Sequence, residues 1–466
     1  MQTKRFLSLI LAALMLLPAA ACQKAPADKA PETSAPAGTT APADETTPEL
    51  LRENTPDSLP DGLDFKGANM RFATRDTALA YKEVVSDASG DIVDDALHDR
   101  NRLVEERLGI KIEATAIHAD PPTFLNTVKN SILGSSDDYD IIAGIQYASL
   151  PLALQNCYYN LKDAEYIDLE QPWWWNDYIN ELKIGQDALF FLNGDISLCG
   201  IYQMSAIFFN KRLLRDLGHD YNDLYKTVLD GKWTYDEFLS LAESAYNDVN
   251  GDGARDDKDV YGFLARTATE PDHFTYTSGI RLSTRDEKGY PVLNVNTEEY
   301  VNSLNLLYKV YYGNDGIFIT SDENLMKNKF KNGTSLFLVN RFVALTSLRD
   351  MEDEYGIIPF PKYSADQKEY PALLHAVTTI YSGPICVQQK SAALATLEAM
   401  CAQNYRTVIP AFYETALKVK YQSDSTAGTV IDMIKAGAHT DFVYAYNYAL
   451  GGAGMICRSL IASKST

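Results

Sequence analysis

The residues with the plainest chemistry lie between Asp248 and Asp259. Side-chain oxygens stand at Asp248, Asn250, Asp252, Asp256 and Asp259, positions one, three, five, nine and twelve of a loop. Gly253 is at six, where the chain must turn sharply, and Ala254 can offer its carbonyl at seven. That is the EF-hand pattern, an all-oxygen cage suited to the hard cation Ca2+. It departs at the end. Asp259 is one methylene shorter than the usual Glu, so bidentate contact needs a tighter loop. Val260 to Phe263 then read as a strand and not as a second helix. The expectation is half an EF-hand, a structural Ca2+ clip. The competing reading is an acidic, solvated turn without metal.

Catalytic spacing is missing elsewhere. The chain has no G-x-S-x-G, H-E-x-x-H, G-x-x-x-x-G-K-[ST] or G-x-G-x-x-G, and its six histidines are scattered. Acidic pairs are too numerous to nominate a glycosidase dyad. Beyond Cys22, the cysteines are Cys157, Cys199, Cys386, Cys401 and Cys457. An odd count, wide spacing and no C-x-x-C argue against a disulfide framework or a zinc site. Buried free thiols are expected.

What positions these residues is a chain of 466, long enough for two or three domains. Lys and Arg number 42 against 63 Asp and Glu, a formal charge of −21, which argues against nucleic acid as a partner. The 46% apolar fraction is enough for a real core. Tyr supplies 29 residues, pointing to wet, ring-lined surfaces.

The first residues speak to the compartment. Lys4 and Arg5 precede an apolar run from Phe6 to Leu17, too short to span a bilayer. This reads as a signal peptide over 1–21. Ala19, Ala20 and Ala21 then lead to Cys22, which resembles the bacterial lipobox, with Ala19 where Leu is usual. The expectation is a diacylglyceryl anchor on Cys22 and a place on the extracellular face of the cell membrane. The alternative is a plain secretory signal cut near Ala21. Residues 22–62 are rich in Pro, Ala, Thr and acid, and read as a disordered spacer standing off the membrane.

Beyond the spacer, strands and helices alternate. Asn69 to Thr74, Ile110 to Ile117 and Tyr139 to Ile145 read as strands. Val93, Leu97, Val104 and Leu108 form one helical stripe, stopped by Gly109; Phe124, Val128 and Ile132 form a second. This order predicts a parallel, doubly wound sheet. Ligands sit beyond the carboxyl ends of such strands, which selects Gln146 and Tyr147. Thr234 and Glu237 have capping-box spacing, and Trp233 beside them reads as a core anchor.

Several stretches together resemble the extracellular solute-binding proteins of family one, the sugar-binding type that includes maltose-binding protein. They are Tyr139-Asp140-Ile141-Ile142-Ala143, Ala206-Ile207-Phe208-Phe209-Asn210-Lys211, Trp233-Thr234-Tyr235-Asp236-Glu237-Phe238, Asn332-Gly333-Thr334-Ser335-Leu336 and Tyr355-Gly356-Ile357-Ile358-Pro359-Phe360-Pro361. The resemblance covers nearly all of 65–460. It implies a two-lobed, periplasmic-binding-protein-like α/β fold of type II, each lobe a doubly wound sheet, joined by crossover hinge strands. Lobe one would take 63–200 and 371–405, and lobe two 206–370 and 406–466.

The same resemblance puts Tyr202 and Gln203 at the first crossover, near Gly200 to Met204, Asp195 just before it as a candidate acceptor for sugar hydroxyls, and Tyr276, Arg341 and Phe342 on the second lobe. Tyr444 and Tyr446 fall where the family has late cleft aromatics. Of Trp173-Trp174-Trp175, Trp174 is the one expected to reach the cleft. Sugar faces stack on such rings while hydroxyls meet convergent donors and acceptors. The implied role is a monomeric binding protein, not an enzyme, delivering a carbohydrate, expected to be a neutral oligosaccharide, to the permease subunits of an ABC importer. Two alternatives stay open: a secreted, anchored glycan-acting enzyme, or a binding protein that takes a peptide or serves a sensor kinase.

Overall fold

The computed structural model describes residues 52–464, except residue 296, the segment 419–424 and the side chains of 414–418 and 425. Residues 1–51, which include the expected signal peptide, Cys22 and most of the expected spacer, lie outside the described residues. The described residues fall in one unit, Leu50–Thr466. None of their helices is long and apolar enough to cross a membrane.

The strands of the two main sheets, in chain order, are β1 (Ala68–Arg75), β2 (Ile110–Ile117), β3 (Ile141–Ile145), β4 (Ser205–Asn210), β5 (Phe263–Ala265), β6 (Ile317–Ile319), β7 (Phe337–Arg341), β8 (Tyr355–Ile358) and β9 (Thr379–Ser382). The first three lie within a residue or two of their expected bounds. The long helices between them are Ile92–Leu108 and Pro121–Leu133. Asp91 and Asp120 accept backbone N–H bonds at the two helix starts, satisfying donors that the first turn leaves open. Gly109 ends the first helix at φ 60°, a left-handed stop that glycine adopts without strain. Both apolar stripes are buried as their spacing predicts.

In the first sheet β1 lies between β2 and β3, all parallel, and β9 runs antiparallel beside β3. Leu192 adds an outer edge, exchanging bonds of 2.8 and 2.9 Å with Tyr381. The second sheet repeats this plan. β5 pairs parallel with β6. On its other side Gly262, just before β5, accepts from the Phe337 N–H at 2.7 Å, joining β7. β4 runs antiparallel between β7 and β8. Each sheet therefore has one reversed strand, and that strand is the first one laid down after the chain arrives from the other lobe. All five residues of β3 and all six of β4 are buried, as covered sheets require.

The chain crosses after Leu192 to reach β4 and returns between Ile358 and β9. The parallel pair Ala372–Leu373 and Ala438–His439 lies beside these crossings. Trp233 is fully buried, its indole N–H bonded to the Pro359 carbonyl at 3.0 Å.

Three local expectations differ. Residues 57–59, assigned to the spacer, are packed: Asp57 pairs with Arg107 at 2.6 Å and Leu59 is buried. Ile409–Lys418, assigned to lobe two, packs on Ile92–Leu108 of lobe one. Thr234 precedes the helix Tyr235–Ser244, but its hydroxyl makes no capping bond.

Candidate functional site

The carboxyl ends of β1, β3 and β7 come together at the crossovers. β3 runs directly into the helix Gln146–Ala153. Gln146 is buried; its N–H bonds the Thr378 carbonyl at 3.0 Å and its Oε1 accepts from the Tyr178 hydroxyl. Its Nε2 has no protein partner. The Tyr147 N–H reaches the Ala376 carbonyl at 3.3 Å, which fixes the base of its half-buried ring. That ring stacks on Tyr448, with centroids 5.1 Å apart and planes 23° apart. Tyr448 is 62% exposed, so one face of the pair is wet.

Three further buried polar atoms near this pair have no protein partner: Arg75 Nε, Thr378 Oγ1 and Asn447 Oδ1. Arg75 ends β1 and holds the return crossover, donating to the Val377 carbonyl at 3.2 Å and to Thr379 Oγ1 at 2.8 Å. A buried polar atom left unbonded costs about 1–3 kcal/mol, so such atoms at a strand end are where a polyhydroxyl ligand is favoured. Arg75, Thr378, Asn447 and Tyr448 escaped the sequence reading. Arg75 was accessible to the same carboxyl-end rule that found Gln146 and Tyr147. No local pattern marks the other three.

From the second lobe, Arg341 ends β7 and donates from Nη1 to Gln203 Oε1 at 2.5 Å. Gln203 is 7% exposed, and its carbonyl accepts from the His375 N–H at 3.1 Å. Removal from water holds the Arg341 guanidinium below its ordinary range. Tyr202 is half-buried, its ring edge-on to Phe412 at 5.1 Å.

The remaining candidates are placed otherwise. Phe342 is buried behind the site, its N–H on the Met204 carbonyl at 3.1 Å. Asp195 is fully buried; Lys435 and the Trp175 indole N–H engage its carboxylate, so it offers no acceptor to a sugar. The Tyr276 and Tyr446 hydroxyls donate to the Gly454 and Leu182 carbonyls, at 2.7 and 2.9 Å. The Tyr444 hydroxyl accepts from the Ala376 N–H at 3.3 Å. All three rings are buried in packing, which replaces the ligand contact expected of them. Trp174 is 4% exposed, and its indole N–H bonds Glu398 at 2.9 Å. It lines a groove of about 480 Å³ with Trp175, Tyr405 and Lys435 that shares no residue with the Tyr147 cluster.

In the acidic loop, Gly251 and Gly253 take φ of 68° and 71°, and Asp248 accepts from both their N–H groups at 2.7 and 2.9 Å. Asp252 accepts from the Ala254 N–H at 2.7 Å, and Asp256 pairs with Lys258 at 2.7 Å. Among the described residues no three His, Cys, Asp or Glu groups converge on a common metal position. Asp259 is fully buried, and its Oδ1 has no protein partner. An orphaned buried oxygen at position twelve, within an all-oxygen set, fits a Ca2+ ligand. Of the five cysteines named above, four are buried, Cys386 is half-buried, and all are free thiols.

No family model matches the chain, and no curated protein matches it in sequence. Solved structures do match. A cyclo/maltodextrin-binding protein complexed with maltotetraose aligns with a TM-score of 0.54 at 11% identity, over 86% of this chain and 97% of that one. UspC of M. tuberculosis aligns at 0.56 and 13%, over 85% of this chain and 100% of that one. The ABC substrate-binding protein Lmo0181 from Listeria monocytogenes, in complex with cycloalternan, aligns at 0.50 and 12%, over 86% and 100%. At such identities the likeness is one of fold: the chain has the two-lobed, crossover-joined α/β architecture of the maltodextrin-binding and ABC substrate-binding proteins.

Proposed function

We propose that this protein is an extracellular substrate-binding lipoprotein that captures a carbohydrate, an oligosaccharide in the simplest case, for an ABC-type importer. One observation carries the reading. The stacked Tyr147–Tyr448 pair stands beside buried polar atoms with no protein partner, at the carboxyl ends of the strands. Rings and convergent polar groups are what a pyranose requires. The maltotetraose and cycloalternan of two structural neighbours support the same ligand class. Capture proceeds by closure of the two lobes on the ligand, which shifts the population toward the closed form. The ligand is released unchanged to the permease. Cys22 carries the lipid anchor, and the loop Asp248–Asp259 holds a structural Ca2+ through its carboxylates, Asn250 and the Ala254 carbonyl. The test is calorimetry and thermal shift against a glycan panel, with fractionation of a Cys22→Ala protein alongside. Binding without consumption of the glycan, and loss of the variant from membranes, are the expected results. A glycan cleaved during titration would put the protein in another class.

A further inference from the structure

The charges around the site do not balance. On the second lobe Arg266 is paired with Glu270 at 2.7 Å and Glu323 at 2.8 Å. Glu323 is shared with Lys327 at 2.7 Å, and Arg458 pairs with Asp272. Arg341 sits among these pairs, yet among the described residues no carboxylate lies within ion-pair distance of it. Its one side-chain hydrogen bond goes to the neutral amide of Gln203. Glu270 and Glu323, the acids near enough to influence it, are both engaged by Arg266. The nearby imidazoles, His273 and His375, lie 5.9 Å apart and supply no negative charge. On the first lobe Arg75 also bonds only neutral groups: a carbonyl, a hydroxyl and the Cys199 sulfur. So, among the described residues, the carboxyl end of β7 carries a guanidinium without an ion-pair partner, and that of β1 carries one bonded to neutral groups with the buried Glu83 carboxyl nearby, in a chain whose formal charge is −21.

A half-buried cation with a neutral partner is costly to the extent that it is desolvated, unless something supplies the opposite charge. A guanidinium is a planar fork that suits a carboxylate or an ester sulfate through two parallel N–H bonds. We propose that the ligand is an acidic oligosaccharide whose oxyanion docks on Arg341 while a neighbouring sugar ring stacks at Tyr147. This rests on the carbohydrate reading above and replaces the neutral sugar expected from sequence. Gln203 acts as the place-holder: its amide oxygen leaves the fork when the oxyanion arrives. Coulombic attraction from Arg75 across the cleft favours closure around the same group.

The test is a glycan array carrying neutral, carboxylated and sulfated oligosaccharides. It is read with wild type, Arg341→Gln, Arg341→Lys and, as a control on an exposed arginine, Arg349→Gln. Acidic glycans should bind, and the carboxylated and sulfated arms tell which oxyanion is preferred. Affinity should fall about 10- to 100-fold in Arg341→Gln, less in Arg341→Lys, and not in Arg349→Gln. Thermal melts establish that each variant is folded. If Arg341→Gln is not, Arg341→Lys still must weaken acidic binding, since it loses the fork. Hits confined to neutral glycans would overturn the proposal and leave the carbohydrate reading intact. Acidic hits indifferent to both Arg341 variants would overturn it as well. An array with no hits in any class would remove the carbohydrate reading, and this proposal with it.

Discussion

Lys435 Nζ lies 2.7 Å from Asp195 Oδ1 and 2.8 Å from Oδ2, closing both oxygens of a carboxylate that no solvent reaches. Asp195 stands at the start of the first crossover, and Lys435 in the last turn of the helix Ser425–Ala436. The pair ties a late helix to the chain where it leaves the first sheet. Breaking a buried ion pair from one side leaves an uncompensated charge, worth about 3–5 kcal/mol. Asp195→Ala should therefore lower unfolding stability by roughly that amount in urea titrations. A loss of ligand affinity at unchanged stability would instead restore Asp195 to the site.

The Tyr147–Tyr448 stack offers a second measurement. Each ring replaced by Ala should weaken glycan binding, by about 1–3 kcal/mol on the scale of a lost aromatic stacking platform. In the ligand-free protein, a double-mutant cycle on thermal stability should show coupling of about 0.5–1.5 kcal/mol, the range for aromatic pairs. Zero coupling would mean the rings are neighbours without being partners.

Calcium should raise the melting temperature, because a ligand bound only by the native state stabilises it by about 2.7 kcal/mol at one hundred times its dissociation constant. Asp252→Ala should remove the increment and leave melting in chelator unchanged. Asp259→Asn keeps an oxygen but loses the charge, and should need more calcium for the same effect. Equal wild-type melting with calcium and with chelator would end the metal reading.

Burial pushes the Glu83 carboxyl up to about 7, against the Cys199 N–H at 2.8 Å and the nearby Arg75 and Arg100, which favour the ionised form. A raised carboxyl contributes stability fully present below its unfolded value, near 4.5, and lost as pH rises through about 7. His439 works the other way. Burial lowers it to about 4, so its contribution is present above 6.5 and lost as pH falls through 4. The difference in stability between wild type and Glu83→Gln isolates the first effect. Wild type should lose ground to the variant from pH 4.5 to 8, and a pH-independent difference would show that Glu83 does not titrate there.

The reading from residue types alone reached the helices, the strand ends and two of the residues at the site. It did so because apolar period and turn residues are local signals. Asp195 and the late tyrosines were beyond it for the opposite reason. Lys435 is 240 residues from Asp195, and Gly454 is 178 from Tyr276. Whether a polar group faces a ligand or a distant carbonyl is decided by such long-range closures. Arg75 shows the intermediate case: its position at a strand end is readable, but its hydrogen bonding to neutral groups is not. Thr234 shows that capping spacing does not ensure the capping bond.

The reciprocal loan of strands bears on how the chain becomes a protein at all. β3 has β1 on one side, but its other neighbour, β9, begins only at Thr379. Until then, the edge Ile141-Ile142-Ala143-Gly144-Ile145 has no partner, and every one of those residues is buried in the finished sheet. Contacts so far apart in sequence form slowly. An emerging amino-terminal half is therefore not a folding unit: it carries an open apolar edge of the kind that invites other chains. If the chain is exported, as proposed above, that delay has a use: nothing native is complete enough to jam the passage, and the two halves finish one another on the far side.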